Sequence, residues 1–97
     1  MLKNVGDAAT EKFITQRKNG FSGLDSALAD QRLNEINAAS RLSDISQLKS
    51  VGLHKLTGDL AGFWSVNLND QWRLIFKFED GDAYDVTIID THKKKRR

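Results

Sequence analysis

The stretch that decides the fold covers residues 51–92 and reads VGLHKLTGDLAGFWSVNLNDQWRLIFKFEDGDAYDVTIIDTH. It contains four segments of strand length that are bounded by turn residues. These segments are residues 53–57, 63–69, 72–79 and 83–90. Asp80 and Gly81 join the last two as a two-residue hairpin turn, since this pair of residues tolerates positive φ. The stretch therefore predicts a mainly antiparallel sheet.

Residues 72–78 alternate between two sets of side chains. One set is Trp72, Leu74, Phe76 and Phe78, and the other is Arg73, Ile75 and Lys77. The alternation predicts a half-buried strand whose Arg73 lies off the main core face. Aromatic residues of the sheet could stack on nucleic-acid bases, but aromatics that alternate within strands more often fill a core. These aromatic residues are Phe63, Trp64, Trp72 and Tyr84.

Helical signals precede the strands. Asp7 is suited to cap a first helix that runs to about Asn19, with Gly20 as its stop. Ala9 and Phe13 are expected on one face of this helix.

A second helix is predicted from about Asp25 to Ala39, because apolar residues recur there at helical spacing. The recurring residues are Ala29, Leu33 and Ile36. Ser43 is the predicted cap of a short third helix that carries Ile45 and Leu48. Together the signals predict an α+β fold in which two helices and a short third pack on a twisted, mainly antiparallel sheet of four to five strands. The first three residues could add an edge strand.

The length and charge of the chain limit its class. A chain of 97 residues makes one domain, here assigned to residues 1–92, followed by a basic tail at 93–97. Without that tail, ten basic and thirteen acidic residues leave a net charge of −3. The tail is either a solvated end or an electrostatic attraction for RNA and the ribosome surface. The chain has no cysteine and no signal-like or membrane-spanning apolar run, so the cytoplasm is the expected location and no membrane partner is expected.

Four side chains in the strand-rich stretch can transfer protons near a phosphate or bind its oxygens. They are His54, Arg73, Asp90 and His92. Histidine can act as a general acid or base near neutral pH, and arginine offers a permanent, bidentate positive charge to phosphate oxygens. Asp90 could orient a histidine or contact RNA. If the four converge, they could cleave RNA by attack of a 2′-hydroxyl on the adjacent phosphate, without a metal or another cofactor.

Simpler interpretations stay open for each of these residues. His54 could hydrogen-bond within the fold, and a terminal His92 could be solvated. Arg73 could pair with Asp85 or Glu79 on the sheet surface. Metal binding is disfavoured because the histidines and aspartates lack a recognised ligand spacing.

The order of short motifs resembles the HigB toxins of the RelE/ParE superfamily. The chain reads HKLTGDLAGFWSV at 54–66, NDQWRLIFKFEDGDAYDV at 69–86 and DTH at 90–92. The resemblance implies a small RelE-like fold and a ribosome-dependent mRNA endonuclease that a helix-turn-helix antitoxin of the HigA type neutralises. Operator DNA would be contacted only through the antitoxin. By position, His54, Arg73, Asp90 and His92 match residues of the family's RNA-cleaving site.

The resemblance also implies RNA contacts around that site. The positions assigned to RNA binding are Lys55, Thr57, Lys77, Thr91 and Lys93. Two of them depart from the family pattern, since many relatives have a lysine where this chain has Thr57 and a tyrosine where it has Thr91.

Two alternatives to a nuclease follow from the same superfamily. One is a ParE-like toxin that binds DNA gyrase without cutting RNA, although such a binder needs no proton-transfer groups. The other is a weakened toxin that acts mainly as a co-repressor with its antitoxin, which the threonines at 57 and 91 leave open.

Overall fold

Three helices are followed by a four-stranded sheet in a computed structural model that describes residues 1–46 and 51–91. The helices are α1 (Ala8–Gln16), α2 (Ser26–Ala38) and α3 (Leu42–Ser46). The strands are β1 (His54–Lys55), β2 (Trp64–Asn67), β3 (Trp72–Glu79) and β4 (Asp82–Asp90), with a short 3-10 turn, Gly58–Leu60, between β1 and β2. Neighbouring strands are antiparallel and lie in chain order. The predicted α+β fold is confirmed.

The β3–β4 hairpin closes at the predicted two-residue turn. Glu79 pairs with Asp82 at its end, and both residues between them have positive φ, 52° for Asp80 and 83° for Gly81. Two successive positive φ values give a turn whose twist matches that of the flanking strands. The turn therefore sets the register of the longest strand pair.

A β-bulge interrupts this register midway along the hairpin. Ile75 pairs with Thr87, but Lys77 pairs with Tyr84, so two residues of β4 lie opposite the single residue Phe76. Asp85, in the bulge, has a left-handed φ of 54°. An extra residue of this kind reverses the in–out alternation of the strand beyond it. The bulge thus decides which face of the sheet the last residues of β4 occupy.

The core lies between the helices and one face of the sheet. Trp72, Leu74 and Phe76 of β3 are buried there, as the alternation predicted. Their core neighbours from the helices and the other strands include Phe13, Ala29, Leu33, Ile36, Val66, Val86 and Ile88. Ile75 is also buried, but on the opposite face of β3. The sheet is therefore covered by helices on one side and presents its other face as the place for a site.

The first helix begins as predicted but ends earlier. The backbone N–H of Thr10 donates to the Asp7 carboxylate over 2.9 Å, which is the expected N-cap. The predicted end near Asn19 and stop at Gly20 are wrong, because Arg17 takes a left-handed φ of 59° and ends the helix after Gln16. The side chain of Arg17 forms an ion pair with Asp30 of α2. This tertiary contact accompanies the early end and cannot be read from local sequence.

The buried side of α1 also differs from the prediction. Phe13 is buried as expected, whereas Ala9 is exposed and Thr10 is buried in its place. The Thr10 hydroxyl accepts a hydrogen bond from the backbone N–H of Ile88 over 3.0 Å. A polar residue thus faces the sheet because β4 supplies a donor for it.

The second helix agrees with its prediction, and the third does not. Asp25 caps α2, and its carboxylate accepts from the backbone N–H groups of Ala27 and Leu28. Ser43 is not the cap of α3, because it lies inside the helix. The carboxylate of Asp44 instead accepts from the backbone N–H groups before the helix, those of Ser40 and Arg41. Leu48 lies outside the described residues.

The Asp44 cap is expected to make stability depend on pH. Its backbone hydrogen bonds lower the pKa of Asp44 below the usual value of 3.8. The cap therefore stabilises the fold above that value and loses its effect as the pH falls through the lower folded pKa. An Asp44→Asn variant should unfold at lower urea concentration than the parent at pH 7. The difference between the two midpoints should shrink toward zero in acid, and a pH-independent difference would contradict the assignment.

The first residues lie along the free edge of β4. Leu2 forms a parallel bridge with Ala83, and Val5 forms another with Val86. The residues predicted to add an edge strand thus pair with the sheet, through isolated bridges instead of a continuous strand. No helix in the described part of the chain has the length and apolar character that a membrane span needs.

Candidate active site

A cleft of about 340 Å³ opens on the face of the sheet that the helices leave uncovered. Its lining combines polar and apolar side chains from β1 to the end of β4. They are His54, Leu56, Leu60, Ser65, Arg73, Ile89 and Thr91. The strand register explains this grouping, since residues paired across adjacent antiparallel strands share a face. The cleft is thus a direct product of the sheet order.

Arg73 lies within this cleft, in the first half of β3. Its Nε donates a hydrogen bond to the hydroxyl of Ser65, which is fully buried on β2. Its Nη2 lies 3.3 Å from Nδ1 of His54. Burial lowers the pKa of the Arg73 guanidinium below its usual value, because the charged form loses solvation. The group is nevertheless a cation at neutral pH.

This cation has no carboxylate partner among the described residues. Asp85, one of the two partners considered from the sequence, lies 3.8 Å from Lys77 instead. No ion pair joins Arg73 to Glu79 either within that part of the chain. A partly desolvated positive charge that faces a cleft without a counter-ion is well placed to bind an anion.

Nδ1 of His54, on β1, lies between a hydrogen-bond acceptor and a hydrogen-bond donor. This atom lies 3.2 Å from the carbonyl oxygen of Gly52 and 3.3 Å from Nη2 of Arg73. A protonated Nδ1 can donate to the carbonyl, whereas an unprotonated Nδ1 can accept from the guanidinium. Nδ1 therefore has a hydrogen-bond partner whether or not it carries a hydrogen.

The Gly52 carbonyl reaches this position because the residue has no side chain. Gly52 has a φ of 61°, and a Cβ atom there would overlap the amide of Asn67. Asn67 itself pairs with Arg73 in the β2–β3 ladder. The glycine thus permits close packing of the segment before β1 against the strand next to Arg73.

The remaining predicted site residues are distributed over both faces of the sheet. Thr91 lines the cleft, and both its backbone N–H and its hydroxyl donate to the carbonyl oxygen of Gln71 over 2.8 Å. Asp90 pairs with Trp72, so its side chain belongs to the face opposite Arg73. The structure therefore does not bring Asp90 into the cleft. His92 and Lys93 lie outside the described residues.

The other predicted RNA-binding residues lie beside the cleft or away from it. Lys55 pairs with Trp64 and places its Nζ 5.9 Å from that ring, on the face opposite His54. Thr57 is exposed just before the 3-10 turn. Lys77 shares the face of Arg73, with its Nζ 5.0 Å from the ring of Phe63. Among the residues that the structure describes, no three His, Asp or Glu side chains form a group able to hold a metal ion.

Comparison with known proteins settles the family. A family model described as the RelE-like toxin HigB of type II toxin-antitoxin systems matches residues 7–92. The chain belongs to the HigB-like toxin family. This match confirms the family suggested by the motifs, and it includes every residue that lines the cleft.

Two relatives show how far the similarity to HigB toxins extends. The chain is 33% identical over 82 residues to the endoribonuclease HigB of Proteus vulgaris, covering 84% of this chain and 85% of that protein. It is 36% identical over 72 residues to the toxin HigB-1 of Vibrio cholerae serotype O1, covering 74% of each chain. The similarity therefore spans most of both proteins in each comparison.

Proposed function

We propose that this protein is the toxin of a type II toxin-antitoxin system and that it cleaves mRNA in translating ribosomes. The observation that carries the proposal is the partly desolvated guanidinium of Arg73, which faces the cleft next to His54 without a described carboxylate partner. These are the groups that a metal-free RNA cleavage needs, an anion binder beside a proton carrier. The name of the Proteus vulgaris relative, an endoribonuclease, supports the same activity.

The proposed reaction begins with a phosphate bound at Arg73. The 2′-oxygen of the preceding ribose attacks this phosphorus and gives up its proton, while the bond from phosphorus to the 5′-oxygen breaks and that oxygen gains a proton. The products are a 2′,3′-cyclic phosphate and a free 5′-hydroxyl. The guanidinium stabilises the charge that builds up on the phosphate oxygens. His54 serves one of the two proton transfers, and His92 is proposed for the other.

Several neighbours are proposed to support this reaction. Thr91 lines the cleft and is proposed to contact the RNA there, while Thr57 and Lys93 are proposed to contact it nearby. Asp90 lies on the opposite face, so it is proposed to act only indirectly, by positioning the residues that follow it. Lys55 also lies off the cleft face, so any RNA contact it makes is outside the cleft.

The small size of the cleft favours dependence on the ribosome. A cleft of about 340 Å³ encloses little of an RNA strand, so it cannot align the 2′-oxygen with the departing 5′-oxygen by binding alone. The ribosome would supply that alignment by holding the codon. We place the protein in the cytoplasm with a HigA-type antitoxin as its partner, and operator DNA is reached only through that antitoxin.

Ser65 is expected to orient the guanidinium for this role. A Ser65→Ala variant removes the buried hydroxyl that accepts from Nε, so Arg73 should sample other orientations. Hydrogen bonds to charged groups contribute about 1.5–3 kcal/mol, so cleavage should fall about 10-fold or more. Single-turnover cleavage measures this effect, and urea unfolding checks the fold. Unchanged cleavage in a folded variant would remove Ser65 from the site.

Primer extension on mRNA tests the proposed function. Purified protein is added to a reconstituted translation reaction and, separately, to the same mRNA without ribosomes. We expect discrete breaks at codons in the first sample and few in the second. Intact mRNA in both samples would contradict the proposal. If expression of the protein in cells then arrested growth and damaged DNA, the gyrase-binding alternative would be indicated.

A further inference from the structure

A second group of side chains lies on the same open face of the sheet, beside the cleft but not part of its lining. Lys77 pairs with Tyr84 across the β3–β4 ladder, and its Nζ lies 5.0 Å from the ring of Phe63. The three residues therefore form one row across the sheet, with a cation between two aromatic residues. Arg73 lies four residues along β3, which is roughly 13 Å away.

Phe63 in this row is not used by the hydrophobic core. It is half-buried, yet it is absent from the apolar residues that pack against the core in the described part of the chain. Trp72, by contrast, is buried and donates from its indole nitrogen to the carbonyl oxygen of Ser22. Of the aromatic residues considered for base stacking, Trp72 therefore belongs to the core, whereas Phe63 faces outward.

The backbone holds Phe63 in place independently of its side chain. Its N–H donates to the carbonyl oxygen of Leu60 over 3.0 Å, and its own carbonyl accepts from the N–H of Leu56 over 3.0 Å. Both of these neighbours line the cleft. The main chain of Phe63 is therefore fixed to the cleft wall, which keeps the ring beside the cleft where a base could stack on it.

The charge in the row is also available to a ligand. Lys77 has an ion pair with Asp85 at 3.8 Å, and both side chains are well exposed, at 49% and 43%. Exposed pairs of this kind contribute little free energy, so a phosphate can replace the carboxylate. Aromatic faces for bases combined with a cation for the backbone are the usual means of holding single-stranded RNA.

We propose that Phe63, Lys77 and Tyr84 form a second subsite that binds the substrate RNA strand a few nucleotides from the phosphate held by Arg73. The aromatic rings stack on bases without reading their identity, and Lys77 contacts a backbone phosphate. The row would thereby fix the direction in which the strand crosses the sheet. This inference rests on the proposed function, because it assumes that RNA enters the cleft.

Short RNAs of different length test the subsite directly. The probes are a dinucleotide and a pentanucleotide of 2′-O-methyl RNA, which cannot be cleaved because the attacking oxygen is blocked. Wild-type protein should bind the pentanucleotide more tightly than the dinucleotide. A Phe63→Leu variant should lose about 5- to 150-fold in affinity for the pentanucleotide and nothing for the dinucleotide. Phe63→Tyr keeps an aromatic ring and should retain the affinity of the wild type.

The charge of the row has its own matched control. Lys77→Gln should reduce the dependence of pentanucleotide binding on salt by a slope of about 0.7, the value expected for one phosphate contact on a single strand. Lys12→Gln removes the same charge from an exposed position on α1 and should leave the slope unchanged. Equal slopes for both variants would remove Lys77 from the subsite.

Three results would overturn the proposal. The first is a wild-type protein that binds the pentanucleotide no more tightly than the dinucleotide. The second is a Phe63→Leu variant that binds the pentanucleotide normally. The third is a Phe63→Leu variant that loses affinity only for vacant ribosomes, which would assign the row to ribosomal RNA. Any of these alongside normal mRNA cleavage would refute the subsite alone. Absence of cleavage by the wild-type protein would refute the proposed function, whatever the oligonucleotides show.

Discussion

Replacing Arg73 by alanine is expected to reduce mRNA cleavage by roughly 10²–10³-fold, the usual effect of losing one donor that stabilises charge in a transition state. The guanidinium is the cation in the cleft, and no described carboxylate neutralises it. Its removal should leave the fold intact. Burying a charge without a counter-ion opposes folding, and this cost offsets the loss of the hydrogen bond to Ser65. We therefore expect the free energy of unfolding to change by no more than about 1 kcal/mol.

Single-turnover cleavage of ribosome-bound mRNA measures the loss of activity, and urea unfolding measures the change in the free energy of unfolding. Arg41→Ala is the matched control, because it removes the same charge from an exposed position outside the cleft. Arg73→Lys should recover only part of the activity, since an ammonium group cannot donate through a planar fork. Normal cleavage by a folded Arg73→Ala protein would remove this residue from the mechanism.

Replacing His54 by alanine is expected to reduce cleavage by about 10²–10⁴-fold, the usual contribution of a positioned general acid or base. The imidazole lines the cleft next to Arg73, and Nδ1 has an acceptor for its proton in the carbonyl oxygen of Gly52. The side chain is exposed, so stability should change by no more than about 0.5 kcal/mol.

The pH dependence of the cleavage rate separates a proton-transfer role from a merely structural one. In the His54→Ala variant, the cleavage rate should lose the pH dependence that comes from protonation of this imidazole. A merely structural role would instead lower the rate by the same factor at every pH. Lys12→Ala, at an exposed position on α1 away from the cleft, is the control. A variant that keeps the full profile would assign His54 a positioning role only.

The strand-rich half of the fold could be predicted from the sequence because its signals are local. The alternation along 72–78 identified Trp72, Leu74 and Phe76 as core residues, although it did not predict the burial of Ile75 on the other face. The Asp80-Gly81 pair identified the hairpin turn. The α2 prediction succeeded for the same reason, since Ala29, Leu33 and Ile36 recur at helical spacing.

The predictions for the first helix were wrong where a contact with a residue distant in sequence decides its end or its buried side. The first helix ends early at a left-handed Arg17 whose side chain pairs with α2. Thr10 is buried in place of Ala9 because a backbone donor of β4 reaches its hydroxyl. Neither partner is visible from the residues around the helix.

The candidate site could be predicted only as a set of residue types. His54 and Arg73 do meet, but Ser65 was not predicted because its role depends on the register between β2 and β3. Asp90 was grouped with these residues, although the register beyond the bulge sets it opposite Trp72 and on the other face. Asp90 was grouped by residue type and by resemblance, and neither gives the register between β3 and β4 that decides its face.

The most direct test of the proposed reaction is a single-atom change in the substrate. Primer extension first maps a break in ribosome-bound mRNA, and the same mRNA is then prepared with one 2′-deoxynucleotide on the 5′ side of that break. If the 2′-oxygen is the nucleophile, the break should disappear at the modified position while breaks elsewhere persist. Cleavage that continues unchanged at the 2′-deoxy position would contradict the account, because the attack would then come from another group.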